Sequence, residues 1–186
     1  MNLVEIKKFV KKAHGKQLRK YPKNTPYYTH LFRVADILMN NNFNKKVVIA
    51  GLLHDLIEDT DYELDFIKKN YGEDIARYVD FVSEDKTLPW KKRKEKYIER
   101  LFSRESPIES IAISMADKID NLEDIGRATD EIGDEFFNKY MGNKKYQLWF
   151  YNLFFEKLIE YIGKYKNKEI ENLYSRLENI MIKLNR

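Results

Sequence analysis

The run His54-Asp55-Leu56-Ile57-Glu58-Asp59 places one imidazole and three carboxylates at the end of an apolar segment. Residues 47–53, just before it, are apolar enough to form a core helix, where ionisable side chains are costly to bury without partners. On a helix, His54 would stack over Glu58 and Asp55 over Asp59, which makes one contiguous polar patch. A solvated C-terminal turn is the alternative, but acids there oppose the helix dipole. A metal ion is the simplest partner for these groups.

Asp117 opens a second polar stretch, Asp-Lys-Ile-Asp-Asn, directly after the apolar run 112–116. At helical spacing, Asp120, Asn121 and Asp124 fall on the same side as Asp117. A solvated helix stripe explains Asp124 equally well, but it does not explain Asp117, which directly follows the apolar run. We therefore expect Asp117 to belong to the site.

His30 lies early on a predicted amphipathic helix and is one of only three histidines in the chain. A lone histidine is more often structural than a ligand, but two of the three lie next to polar patches, and this favours ligation. His14, within a basic amphipathic stretch, is interpreted as structural. The predicted metal ligands are therefore His30, His54, Asp55 and Asp117.

Two imidazoles and two carboxylates suit a divalent ion such as Mn²⁺, Fe²⁺, Zn²⁺ or Co²⁺, with Mg²⁺ as a harder alternative. Such an ion polarises a phosphoryl oxygen and lowers the pKa of bound water from about 16 towards about 7. Glu58 and Asp59 lie one turn beyond the ligands, where they could orient that water or take its proton. The predicted chemistry is hydrolysis of a phosphate ester or anhydride.

Composition limits the remaining possibilities. At 186 residues the chain fits one domain, since domains usually have roughly 100–200 residues. Its net charge of +4, from 34 basic and 30 acidic residues, favours a small anionic ligand over DNA or RNA. The absence of cysteine excludes disulfides, thiolate metal sites and cysteine nucleophiles. With no secretory signal and no apolar run of about 20 residues, the protein is expected in the cytoplasm, away from membranes.

Helical periodicity dominates the chain, and no segment alternates as an exposed strand does, so the predicted fold class is all-α. Prolines at 22 and 26 mark a basic irregular loop at 20–26. Ser106-Pro107-Ile108-Glu109 has the pattern of a capping box, and loops are expected at 83–90 and near 129–134. The predicted helices cover about 3–14, 27–40, 45–59, a short segment ending near 70, 74–82, 91–102, 107–126, 144–165 and 168–184.

The order His30, His54-Asp55, Asp117 resembles the H…HD…D signature of the HD-domain metal-dependent phosphohydrolases. The runs AGLLHDLIEDT at 50–60 and MADKIDNL at 115–122 are similar to the hydrolase domain of RelA/SpoT proteins and their small single-domain relatives. The resemblance covers about residues 20–125, and the HDxxEDT run is far more specific than HD alone.

This resemblance implies a helical HD-domain bundle that forms one domain over residues 1–186, with C-terminal helices from about 135 packing on the motif core. It implies one Mn²⁺ on the four predicted ligands. The implied reaction releases pyrophosphate from the 3′ position of guanosine tetra- or pentaphosphate, (p)ppGpp, the nucleotide of the stringent response. Glu58 and Asp59 match the family's catalytic acidic pair, and Asn121 matches its nucleotide-contacting asparagine.

Two departures from the family pattern concern the substrate. An arginine-rich turn with Ser-Gly-Glu before Tyr-x-x-His is replaced at 21–27 by Tyr-Pro-Lys-Asn-Thr-Pro-Tyr. Arg19, Lys20 or Lys23 is therefore expected to contact the phosphates. The family's Asp-Arg-Leu-His-Asn is here Asp-Lys-Ile-Asp-Asn at 117–121. Two alternatives stay open: an HD nucleotidase or phosphodiesterase with another nucleotide, and a non-catalytic regulatory domain that binds a nucleotide.

Two further segments have open interpretations. The basic run 91–94 after Trp90 could fold over a polyphosphate, or it could be the solvated face of a helix. The aromatic stripe at 146–155 is interpreted as core or as the contact of a homodimer, rather than as a platform for stacking bases.

Overall fold

The computed structural model describes residues 2–139, 143–165 and 167–184, and its described regular elements are helical apart from one isolated antiparallel bridge between Leu18 and Pro26. The all-α prediction is confirmed. A 3-10 segment, Gly133–Lys139, lies between α8 and α9. The helices are α1 Leu3–Ala13, α2 Tyr28–Asn40, α3 Lys45–Leu53, α4 Leu56–Asp59, α5 Leu64–Tyr71, α6 Glu73–Val82, α7 Trp90–Leu101, α8 Ile108–Ile132, α9 Asn143–Lys164 and α10 Lys168–Leu184.

The two central helices are α3 and α8, and they carry the two polar stretches singled out in the sequence. Every residue from Val47 to Leu53 in α3 is buried, and α8 packs against α2, α3, α6 and α10. A helix that is apolar on all sides belongs in a core. Polar residues at the ends of such segments therefore emerge inside the protein rather than at its surface.

The crossing of α2 and α3 is close because Gly51 has no side chain. A Cβ at this position would lie 2.5 Å from Cδ1 of Leu38 and 3.5 Å from Cγ1 of Val34. One turn away on each helix are His30 and His54, whose ring centroids are 5.2 Å apart. The close crossing thus brings the two imidazoles together.

The prediction of one helix over 45–59 is wrong at residues 54–55. Helix α3 ends at Leu53, and α4 starts at Leu56 after a turn in which Asp55 has φ −94° and ψ 2°. This bridge region of backbone space is common in active-site residues. Adjacent residues on a continuous helix point about 100° apart, whereas the turn lets His54 and Asp55 face the same centre.

Helix α8 begins and ends later than predicted. Its N-cap is Pro107, with no side-chain hydrogen bond, so the capping box predicted at Ser106 does not form. At the other end, the helix continues through Gly126 to Ile132 and stops at Gly133, which has φ 67°. Glycine costs about 1 kcal/mol within a helix, but α10 and the 3-10 segment pack on α8 and outweigh that cost.

None of the described helices is long and apolar enough to cross a membrane. The aromatic stripe of α9 is largely internal, because Phe150, Tyr151 and Phe154 are all buried within the chain. Its core interpretation therefore matches these three residues, and the homodimer stays a prediction.

Leu53→Ala should measure how strongly packing supports the turn that follows α3. Leu53 is fully buried, and leucine-to-alanine changes in a core typically cost about 2–5 kcal/mol. We expect a loss of unfolding free energy in that range in urea titrations of the metal-free protein. Exposed Leu18→Ala is the control and should change little. Equal midpoints for Leu53→Ala and the parent would contradict the packing described here.

Candidate active site

Three helical segments bring His30, His54 and Asp117 to one point. The ligand atoms of these side chains all lie within 4.8 Å of one another. Asp117 Oδ1 lies 3.1 Å from His30 Nε2 and 3.8 Å from His54 Nε2. The start of α2, the turn after α3 and the middle of α8 therefore share one cluster of possible metal ligands.

Asp55 lies beside this cluster. Its Oδ2 atom is 3.1 Å from His54 Nε2 and 3.7 Å from His30 Nε2. The same oxygen accepts a 2.5 Å hydrogen bond from the hydroxyl of Tyr27. All four side chains predicted as metal ligands thus lie together, although the helix break at Asp55 was not predicted.

The outer nitrogens of the two imidazoles have fixed partners, which sets the orientation of the rings. His54 Nδ1 lies 2.9 Å from the carbonyl oxygen of Gly51 and must carry a proton to bond it. His30 Nδ1 lies 2.6 Å from Oδ2 of Asp120. His54 Nε2 is buried and makes no well-aligned hydrogen bond, although Asp55 Oδ2 lies 3.1 Å away. Such an orphaned nitrogen beside carboxylates fits a ligand for a cation.

The carboxylates set the electrostatics of this cluster. Burial opposes a charge on Asp117, but Lys118 and the two histidines lower its pKa well below the ordinary range. Burial also opposes a charge on His54, yet Asp55 and Asp117 raise the pKa of its ring well above the ordinary value. The shift of His54 reflects the negative charge of the two carboxylates, whereas the shift of Asp117 reflects the positive charge of Lys118 and the imidazoles. A divalent cation would neutralise the carboxylates and displace protons from the ligands.

Glu58 and Asp59 lie on α4, on the wall of a cavity of about 340 Å³ that opens beside the cluster. The backbone N–H of Glu84 donates to Glu58 Oε1 over 3.0 Å. Lys86 donates to the Glu58 carbonyl oxygen over 2.7 Å and pairs with the carboxylate of Asp59. Burial, Asp55 and Glu84 raise the pKa of Glu58 to about 8, close to the value that suits proton transfer at neutral pH.

The same cavity is lined by cations and aromatic rings in addition to the acidic residues. This mixture suits an anionic ligand that also carries an apolar or stacking group. The cations are Lys20, Lys86, Arg93, Lys94 and Lys118, and the aromatic residues are Tyr27, Trp90, Tyr97, Phe150 and Tyr151.

Comparison with known protein families gives a match to the HD domain over residues 7–140. The chain belongs to the HD-domain family. Membership implies a divalent metal, and the cluster of His30, His54 and Asp117 offers the nitrogen and oxygen ligands that such ions take.

Curated relatives of this HD-domain protein include the human protein named guanosine-3′,5′-bis(diphosphate) 3′-pyrophosphohydrolase MESH1. The two are 39% identical over 131 residues, which is 69% of this chain and 72% of the human one. A Haemophilus influenzae guanosine-3′,5′-bis(diphosphate) 3′-pyrophosphohydrolase is 33% identical over 118 residues, which is 61% of this chain but 17% of that longer protein.

Solved structures also resemble this HD-domain protein over most of its length. One belongs to a metazoan ortholog of SpoT, described as hydrolysing ppGpp and playing a role in starvation responses. It superposes with a TM-score of 0.79 at 27% identity and covers 97% of this chain and 94% of its own. A Listeria monocytogenes protein gives a TM-score of 0.68 at 30% identity, covering 84% of this chain and 96% of its own.

The residues predicted to contact phosphate have different surroundings in this HD-domain protein. Lys20 and Asn121 line the cavity, and Asn121 donates to Asp117 Oδ1 over 2.5 Å. Lys23 is exposed and is not part of the cavity wall. Arg19 does not line the cavity, and its guanidinium pairs with Asp120, Asp124 and Asn121. Of the three cations, Lys20 alone lines the cavity.

The basic run after Trp90 has two parts. Lys91 and Lys92 are exposed, as expected for a solvated helix face. Arg93 and Lys94 line the cavity and pair with Glu84, as expected for a segment that folds over a polyphosphate. The solvated-face interpretation therefore matches the first half of the run, and the polyphosphate interpretation stays a prediction for the second half.

Several cavity residues were missed by sequence reasoning. Tyr27 has a signal in retrospect, since it is the tyrosine of the Tyr-x-x-His pattern before His30. Lys86 lies in the loop at 83–90, which carried no motif. Gln147 and Tyr151 reach the cavity from α9, and their spacing indicates only a helix. Phe150 was assigned to the core and lies at its boundary with the cavity.

Proposed function

We propose that this protein hydrolyses (p)ppGpp by removing the 3′-pyrophosphate, with a divalent ion held by His30, His54, Asp55 and Asp117. Mn²⁺ is the first candidate, because it accepts both imidazole and carboxylate ligands. The observation that carries the proposal is the cluster of His30, His54 and Asp117, with Asp55 beside it, next to an acidic pair and a cation-lined cavity. The identity of the nucleotide in this proposal comes from the names and descriptions of the relatives reported above.

The ion, when bound, supplies Lewis-acid stabilisation of the phosphoryl oxygens and activates water. Glu58 lies on the cavity wall with one oxygen held by the Glu84 N–H, which leaves its carboxyl group positioned to take a proton from the attacking water. Asp59, paired with Lys86, orients that water. The water oxygen bonds to the phosphorus that is attached to the ribose 3′ oxygen, and the bond from that phosphorus to the 3′ oxygen breaks. The 3′ oxygen takes up a proton from Glu58 or solvent as the pyrophosphate leaves.

The cations of the cavity neutralise the remaining phosphate charge. Lys20, Lys86, Arg93 and Lys94 all line the wall, and preorganised charges in a partly closed site stabilise developing negative charge more than water does. The cavity also offers Trp90 to the apolar part of a nucleotide. We infer that the ligand is a free nucleotide in the cytoplasm rather than DNA or RNA.

A nucleotide panel tests the proposed reaction. We expect the protein reloaded with Mn²⁺ to release pyrophosphate from ppGpp and pppGpp, leaving GDP and GTP as the second products. Nucleoside triphosphates, monophosphates and cyclic nucleotides are the comparison substrates, and the chelator-treated protein is the control. Inorganic phosphate as the product would indicate a nucleotidase instead. Nucleotide binding without turnover of any member would indicate a regulatory domain and overturn the proposal.

A further inference from the structure

The position of His30 depends on a buried carboxylate that neither lines the cavity nor is one of the predicted ligands. Asp120 is 2% exposed and His30 is 1% exposed. The ring Nδ1 donates to Asp120 Oδ2 over 2.6 Å, on the side of the imidazole opposite to Nε2. His54 differs, because its Nδ1 bonds a backbone carbonyl oxygen that no substitution of a side chain removes.

Asp120 is itself held by two arginines. Arg33 donates to both oxygens, from Nε to Oδ1 and from Nη2 to Oδ2, the latter over 3.1 Å. Arg19 reaches Oδ2 over 3.2 Å. Both arginines also pair with Asp124. The carboxylate of Asp120 therefore has donors on several sides and little freedom to turn away from His30.

We propose that Asp120 is a positioning residue, which holds the His30 imidazole in the tautomer that presents an unprotonated Nε2 to the metal site. A carboxylate that accepts from one ring nitrogen keeps the proton there, so the other nitrogen keeps its lone pair. In this chain Arg19 and Arg33 fix that carboxylate. The guanidinium of Arg19, expected from the sequence to bind phosphate, serves the metal site indirectly.

A positioning role for Asp120 can be separated from a purely structural one by comparison with Asp124. Asp124 is also 2% exposed and lies one turn further along α8. It pairs with the same two arginines and with Arg127, yet the structure gives it no contact with His30. Asp124→Asn therefore disturbs the ion-pair network without removing the partner of the imidazole.

Mn²⁺ alone is the probe for the variants. We expect Asp120→Asn to weaken Mn²⁺ affinity by about 10- to 100-fold, the usual effect of removing the partner of a ligating histidine. Asp124→Asn should retain the parent affinity, while both variants lower the thermal midpoint of the metal-free protein. Equal losses of affinity in the two variants, or none in Asp120→Asn, would overturn the proposal.

A measurement on the unaltered protein covers the case in which Asp120→Asn does not fold. With three histidines in the chain, ¹⁵N imidazole spectra of the Zn²⁺-loaded protein can be assigned. We expect His30 to carry its proton on Nδ1 and its metal on Nε2, and the reverse arrangement would refute the proposal. This inference rests on the metal site of the proposed function but not on its nucleotide. A protein that binds Mn²⁺ but does not hydrolyse the nucleotide would therefore contradict the proposed reaction and leave the role of Asp120 intact.

Discussion

Asp55→Ala is expected to yield a folded protein that retains neither metal nor activity. The carboxylate lies 3.1 Å and 3.7 Å from the Nε2 atoms of His54 and His30, so alanine removes one of the charges that offset the ion. The Lewis-acid contribution of a bound metal is several kcal/mol, and each 1.4 kcal/mol is tenfold in rate. We therefore expect kcat/KM for ppGpp to fall by at least ~10³-fold.

The matched control for this variant is Asp61→Ala, an exposed acid close by in sequence. It should keep the metal content and turnover of the parent protein. Metal content is measured by atomic emission after gel filtration, and circular dichroism checks that both variants are folded. Equal metal content in Asp55→Ala and the parent would contradict the assignment of Asp55 as a ligand.

Glu58→Gln is expected to slow turnover while the metal stays bound. Glu58 lies on the cavity wall, and burial with the nearby Asp55 and Glu84 raises the pKa of its carboxyl group to about 8. A bound cation would lower that value towards neutrality, since positive charge favours the carboxylate. Glutamine keeps the shape but cannot accept the proton. General-base catalysis is typically worth 10²–10⁴-fold, so we expect kcat to fall by about that factor.

This variant distinguishes a role of Glu58 in proton transfer from a role in metal binding. Mn²⁺ affinity should remain that of the parent, and the exposed Glu63→Gln should leave both quantities unchanged. Loss of metal in Glu58→Gln would show that Glu58 is itself a metal ligand. An unchanged kcat would show that another group accepts the proton, with Asp59 as the next candidate.

Three of the four residues of the candidate metal site could be identified from the sequence because they directly follow apolar segments. His54 and Asp55 follow the fully buried helix α3, and Asp117 follows the apolar run of α8. Local composition decides such features, since a helix that is apolar on all sides must be central. The helical class and most helix positions followed from the same periodicity, with boundary errors at the break after Leu53 and at the end of α8.

The tertiary structure decided how those residues are supported and what surrounds them. The turn at Asp55 points two adjacent side chains to one centre, and Asp120 and Arg19 meet across 101 positions of sequence. Part of the cavity wall comes from α7 and α9, where Arg93 and Tyr151 lie far in sequence from the predicted metal ligands. Helical periodicity specifies which face of a helix is buried. It does not specify which partner that face meets, because partner choice depends on packing between segments distant in the chain.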